Sequence, residues 1–172
     1  YPYGKKITAP DPGPAAHFGF SVSQNNDLLV VGAYEADPGG VTDAGAVYLY
    51  REDANDSVNL LQKVIAPDGA AGDRFGYSVN LNNSLLAVGS DRVDIGDNND
   101  TGATYLYRVE NNGSVSFLQK LIPPDANASF GCSLSQSGDL LAVGAESAKA
   151  VYLYRVESNG TATFLQKVIL KC

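Results

Sequence analysis

Four aspartates, Asp91, Asp94, Asp97 and Asp100, recur at every third residue of a loop that also holds Gly96 and Asn98. Hard cations such as Ca²⁺ take about six to eight oxygen ligands, and clustered carboxylates are the usual source. The loop therefore reads as a Ca²⁺ candidate. Its spacing of three follows no EF-hand or similar signature, so a solvated acidic loop is the competing reading. The matching loop upstream carries Glu35, Asp37 and Asp43. His17, the only histidine, reads as a loop residue. A Ser-His-Asp site needs a serine and a buried acid beside the histidine, and the chain has no Gly-x-Ser-x-Gly elbow. No catalytic residue is assigned, no enzyme is expected, and no cofactor besides Ca²⁺ is suggested. Cys132 and Cys172 fit neither a metal motif nor a CxxC motif. They read as a disulfide, within one chain or between copies, or as two thiols.

Modification chemistry is better marked. Six Asn-x-Ser/Thr sequons occur, at Asn55, Asn82, Asn99, Asn112, Asn127 and Asn159, where 13 Asn and 20 Ser plus Thr would give about one or two by chance. Turn preference explains asparagines but not a hydroxyl residue two places on. Asn55, Asn112 and Asn159 stand 57 and 47 residues apart. The expected location is extracellular or cell-surface, in a secreted glycoprotein. The net charge of −7 argues against nucleic acid and anionic membranes as partners. No apolar run approaches the roughly 18 residues of a membrane span.

That 57- and 47-residue spacing belongs to the whole chain. Phe18–Tyr34 returns as Phe75–Ser90 and Phe130–Ala145, each followed by Tyr-Leu-Tyr-Arg (Tyr48–Arg51, Tyr105–Arg108, Tyr152–Arg155) and then Leu-Gln-Lys (Leu61–Lys63, Leu118–Lys120, Leu165–Lys167). Each unit predicts four strands, in the first repeat Phe18–Ser23, Asp27–Ala33, Ala46–Arg51 and Val58–Pro67. Asn-Asn or Ser-Gly pairs suit tight hairpins after the first strand. The second strand is a continuous apolar run, which requires cover on both faces. Small antiparallel sheets buried on both faces pack as blades around an axis, so the fold class is all-β and the architecture a β-propeller. Tyr48, Tyr50, Tyr105, Tyr107, Tyr152 and Tyr154 alternate at strand period, which favours packing between blades over an aromatic sugar platform. The segments are one propeller domain over 1–172: an orphan outer strand at 1–10, and blades at 11–67, 68–124 and 125–172.

The Phe-Gly and Val-Gly-Ala/Ser pairs (Phe18-Gly19 with Val31–Ala33, Phe75-Gly76 with Val88–Ser90, Phe130-Gly131 with Val143–Ala145) resemble the FG-GAP repeats of the integrin α-subunit propeller and its microbial and algal relatives. The linker Ala66–Gly76 is also similar. The family's calcium loop between first and second strands is replaced here by a two-residue turn, too short to wrap a cation. Three blades do not close a ring. The apolar blade ends then predict either a longer propeller or assembly with other copies or protein partners. The resulting expectation is a structural or adhesive extracellular module. The alternatives are a lectin-like glycan binder and the accessory propeller of a larger secreted hydrolase.

Overall fold

A computed structural model describes residues 6–11 and 16–169. Among these residues, twelve strands form three four-stranded antiparallel sheets, each in simple sequential order. Blade 1 holds β1 (Ser21–Asn25), β2 (Leu28–Ala33), β3 (Ala46–Glu52) and β4 (Val58–Val64). Blade 2 holds β5 (Ser78–Asn82), β6 (Leu85–Ser90), β7 (Ala103–Val109) and β8 (Val115–Leu121). Blade 3 holds β9 (Phe130–Ser137), β10 (Leu140–Ala145), β11 (Ala150–Val156) and β12 (Ala162–Ile169). The sheets do not close into a ring. No helix among the described residues is long and apolar enough to cross a membrane.

The continuous apolar runs are explained by two-sided burial. In β6, Leu86 and Val88 join the core with blade 1, whereas Leu85 and Ala87 join the core with blade 3. Alternate side chains thus serve two neighbours, and neither face has room for a polar residue. The outer strands are less buried and end early. Val58–Val64 stops three residues before Pro67, which has no N–H to offer the ladder.

The repeated motifs are the joints between blades. Ser21 Oγ donates to the Gly76 carbonyl of the next blade (2.7 Å), and Ser78 Oγ donates to the Gly131 carbonyl (2.6 Å). That carbonyl occupies the space a Cβ would take at Gly32 or Gly89, so the Val-Gly pair is a steric requirement. At the rim a bulge in every blade skips one leucine of Leu-Gln-Lys. Leu61 and Leu118 lie against Gly113 and Gly160 in the next blade's outer turn. Gln62 accepts from the Val115 N–H, and Gln119 both accepts from and donates to the backbone of Ala162. On blade 3 the outward face leaves Leu140, Val151, Leu165, Val168 and Ile169 well exposed.

Other boundaries also differ from the sequence reading. The first strand of blade 1 starts at Ser21, because Phe18–Phe20 form a turn with Gly19 at φ 89° and Phe20 N–H bonded to the His17 carbonyl. The orphan outer strand expected at 1–10 is absent over its described part, residues 6–10. No described strand pairs with these residues.

Candidate functional site

The framework around the axis repeats almost unchanged, but four positions per blade do not. The residue before Phe-Gly is His17, Arg74 or Ser129, and the residue after it is Phe20, Tyr77 or Cys132. The pair after Val-Gly-Ala/Ser is Tyr34-Glu35, Asp91-Arg92 or Glu146-Ser147. All lie on the face carrying the β2–β3, β6–β7 and β10–β11 loops and the linkers between blades. His17, Arg74 and Ser129 share a left-handed backbone, with φ of 46°, 61° and 49°. Such conformations cost free energy in non-glycine residues and concentrate where geometry serves a site.

Blades 1 and 2 bring the first group together. His17 Nε2 lies 2.9 Å from Glu35 Oε2. The His17 ring stacks on Tyr34 at 4.9 Å, and the Arg74 guanidinium covers the same ring at 5.2 Å while reaching Glu35 at 3.8 Å. Phe20 and Tyr77 close the cluster against Tyr34 at 4.6 and 5.3 Å. The contact through Nε2 lets Glu35 fix the orientation of the imidazole. The cluster thus has a carboxylate-oriented imidazole beside a fixed cation, the elements of general-base chemistry at a carbonyl.

A polar cleft of about 490 Å³ continues from Arg74 and Tyr77 between blades 2 and 3. Asp91, Arg92, Asn99 and Asp100 line one side, and Asn127, Ser129, Glu146 and Ser147 the other. Asp91 is only 8% exposed, and its Oδ1 accepts no hydrogen bond among the described residues. Burial pushes its carboxyl above the ordinary range, against the pull of Arg74. The Ser129 and Ser147 hydroxyls meet at 2.8 Å.

The four aspartates of the β6–β7 loop are not assembled into a cation site. Asp91 is buried, Asp94, Asp97 and Asp100 are exposed, and Asp94 Oδ1 accepts from the Asp100 N–H (2.9 Å). Among the described residues no three His, Cys, Asp or Glu side chains converge on a metal position. One of the Asp94 oxygens is engaged in local turn bonding. The sequons Asn55, Asn112 and Asn159 are exposed in the β3–β4, β7–β8 and β11–β12 turns, and Asn82 ends β5 at the same edge. Asn99 and Asn127, however, line the cleft face. Cys132 is half-buried in β9; its suggested partner Cys172 lies outside the described residues.

The tyrosines are packing residues with a second task that the sequence did not disclose. Tyr48, Tyr105 and Tyr152 are buried and donate to Asp11, Asp68 and Asp125 in the linkers. Lys63, Lys120 and Lys167 meet the same carboxylates and lie over the tyrosine rings at 5.6, 5.1 and 5.6 Å. The Asp-to-Tyr separations of 37, 37 and 27 residues were the available signal.

The fold is shared with several solved structures. A Lactobacillus plantarum protein is 15% identical, with a TM-score of 0.65 over 89% of this chain and 42% of its own. A candidate 6-phosphogluconolactonase of Bacteroides fragilis is 13% identical, with a TM-score of 0.66 over 92% and 41%. The periplasmic gluconolactonase of Pseudomonas aeruginosa is 14% identical, with a TM-score of 0.58 over 83% and 36%. The chain spans about two fifths of the length of these proteins. No curated protein matches it by sequence. These likenesses correct the expectation of a non-catalytic structural or adhesive module. The architecture is one that lactonases carry, and the lack of a Ser-His-Asp signature excludes only one kind of catalysis. A family model for the FG-GAP repeat matches residues 4–50 and 58–107. Matched over more than half of its length, the chain belongs to the FG-GAP repeat family.

Proposed function

We propose that the face carrying the β2–β3 and β6–β7 loops is the site of a hydrolase acting on the lactone of a small sugar acid. The observation that carries this reading is the contrast within one chain. Phe-Gly, Val-Gly, Tyr-Leu-Tyr-Arg and Leu-Gln-Lys repeat in all three blades, while the four positions facing this site differ in every blade. The joints between blades do not fix these four positions. They place His17, Glu35 and Arg74 in contact. In the reaction, His17 Nδ1 takes a proton from water as its oxygen adds to the lactone carbonyl. Arg74 faces the oxyanion. The ring C–O bond then breaks, and the leaving oxygen recovers the proton from His17 to give the open hydroxy acid. The lactonases of similar fold support the reaction class.

Hydrolysis of D-glucono-1,5-lactone followed by pH-stat tests it, with the spontaneous rate subtracted. His17→Ala is expected to lower the protein-dependent rate at least 100-fold, and Glu35→Gln about tenfold, in line with positioned general-base catalysis. Equal rates for the parent chain and His17→Ala would end the proposal.

The same reading sets the chain outside the cytosol, as a glycosylated protein. Six sequons support it, four at the edge opposite the site. The Ser114 and Thr161 hydroxyls donate to Asn112 and Asn159 Oδ1 (2.7 Å each), so the triplets sit in ordered exposed turns.

A further inference from the structure

We infer that the outward face of blade 3 docks blade 1 of a second copy of this chain, head to tail, through the joint that already links the three blades. The inference is independent of the hydrolase reading. Each internal joint has a giving and a receiving half. The giving half is a serine (Ser21 or Ser78), the open Cβ space of Gly32 or Gly89, and at the rim Gln62 or Gln119. In the receiving half the glycine carbonyl of Phe-Gly fills that space, and the N–H of Val115 or Ala162 donates to the glutamine.

Both halves recur unmatched at the two ends of the array. Blade 3 repeats the giving half in Ser133, Gly144 and Gln166. Ser133 Oγ stands 2.1 Å from the Cβ position of Gly144, as Ser21 Oγ does at Gly32, but the nearest atoms there are side-chain atoms of Cys132 and Ser133 and no carbonyl. Val47 is fully buried in its joint, whereas its counterpart Val151 is 39% exposed. A groove of about 470 Å³ runs beside Gly144, walled by Val151, Val168 and Ile169. Blade 1 repeats the receiving half. Gly19 has φ 89°, against 90° at Gly76 and Gly131, and its N–H bonds the Gly32 carbonyl as that of Gly76 bonds Gly89. The Ala46 and Ala103 carbonyls of the preceding blade stand against Gly76 and Gly131, but no described atom lies within 4 Å of the Cβ position of Gly19. Val79 is 8% exposed in the core shared with blade 1; its counterpart Val22 is 62% exposed. Val58 stands in the register of Val115 and Ala162.

The sheets do not close, so the two halves do not meet within one chain. Apolar faces of this kind are rarely left bare in water, and each copy carries what the other lacks. The contact is heterologous: two copies bring six blades, and further copies add at the same ends. Two positions depart from the internal joints. Lys149 stands where Gly45 and Gly102 admit the backbone of Phe75 and Phe130, and Asp56 where Gly113 and Gly160 admit Leu61 and Leu118. A docked copy stands off at these points, so the contact is weaker than an internal joint and depends on concentration.

Light scattering on the full chain across a concentration series tests this. The parent mass is expected to rise from that of one chain to that of two or more. Gly144→Ala puts a methyl in the carbonyl's place and displaces only the Ser133 side chain, so it should weaken association about 100-fold. Val22→Lys, at an already exposed position on the other half, should weaken it to a similar degree and keeps the test open if Gly144→Ala does not fold. Each variant keeps one sound half, so an equal mixture should pair at concentrations where neither does alone. Lys149→Gly should tighten association several-fold. A single-chain mass at every concentration up to about 1 mM, either weakening variant associating like its parent, or a mixture no better than its parts would overturn the inference.

Discussion

Asp68→Ala isolates one of the three Asp–Tyr–Lys latches. Tyr105 is fully buried and its hydroxyl donates to Asp68 Oδ1 at 2.9 Å, while Lys120 Nζ lies 2.6 Å from Oδ2. Removing the carboxylate leaves the buried hydroxyl without an acceptor, which costs about 1–3 kcal/mol. The Lys120–Asp68 pair adds only about 0–1 kcal/mol, because the Asp68 side chain is 52% exposed. Together these destabilise the fold by about 1–4 kcal/mol, a fall in Tm of roughly 2–4 °C per kcal/mol for a chain of this size. Tyr105→Phe removes the hydroxyl with its need, and should cost about 1 kcal/mol. In that background Asp68→Ala should lose most of its effect, a coupling of about 1–2 kcal/mol by double-mutant cycle. Urea unfolding followed by circular dichroism supplies all four free energies. An Asp68→Ala chain as stable as its parent, or one equally costly in both backgrounds, would refute the latch.

The same latch has a defined pH response. Burial pushes the Asp68 carboxyl up, but the bonds from Lys120 and Tyr105 together outweigh it and hold the group below the ordinary carboxylate range. A carboxyl depressed in the folded state stabilises above its unfolded pKa and ceases to as pH falls through the folded value. The gap between the parent and Asp68→Ala should therefore be constant from neutrality to about pH 5 and shrink below about pH 4.

Gly89→Ala should disrupt the joint between blades 2 and 3 outright. Its Cβ would stand 1.9 Å from the Gly131 carbonyl oxygen, a backbone atom, so the loss should exceed about 3 kcal/mol by urea unfolding; Gly39→Ala, at φ 64° with open space around it, should cost about 1 kcal/mol. Intact-mass measurement of native material before and after deglycosylation should show added mass in glycan-sized steps, and an unmodified polypeptide mass would remove the extracellular reading.

Much of the architecture was legible because repetition and periodicity carry it directly. Leu85–Val88 announced a strand buried on two faces, and Asn25-Asn26 announced the hairpin beside it. The cleft was not legible by the same means, since a repeat search rewards what recurs. Its residues are the ones that fail to recur, so His17 read as a loop residue and Arg74 and Ser129 gave no signal. The acidic loop shows the converse: Asp91, Asp94, Asp97 and Asp100 form a pattern in sequence, while turn geometry turns Asp94 back onto the Asp100 amide and Asp91 is buried where the others are exposed. Spacing alone does not say which oxygen remains free.

The joints and the cleft follow from one division of labour within each repeat. Residues that face a neighbouring blade meet the same partner every time, so Ser21 and Ser78 find a glycine carbonyl and Gln62 and Gln119 find the next outer strand. Their identity is fixed by steric and hydrogen-bond demands that a substitution violates at once, as the spaces at Gly32 and Gly89 show. Blade 3 carries the same set in Ser133, Gly144, Leu165 and Gln166, on a face that no other described residue covers. Residues at the loop ends of the strands meet no neighbour of fixed chemistry and are free to differ. Rigid joints repeated around an axis hold those differing residues at fixed separations, which is the condition a positioned imidazole, carboxylate and guanidinium require. The strained backbone at Arg74 is tolerated for the same reason: blades 1 and 2 on either side over-determine it.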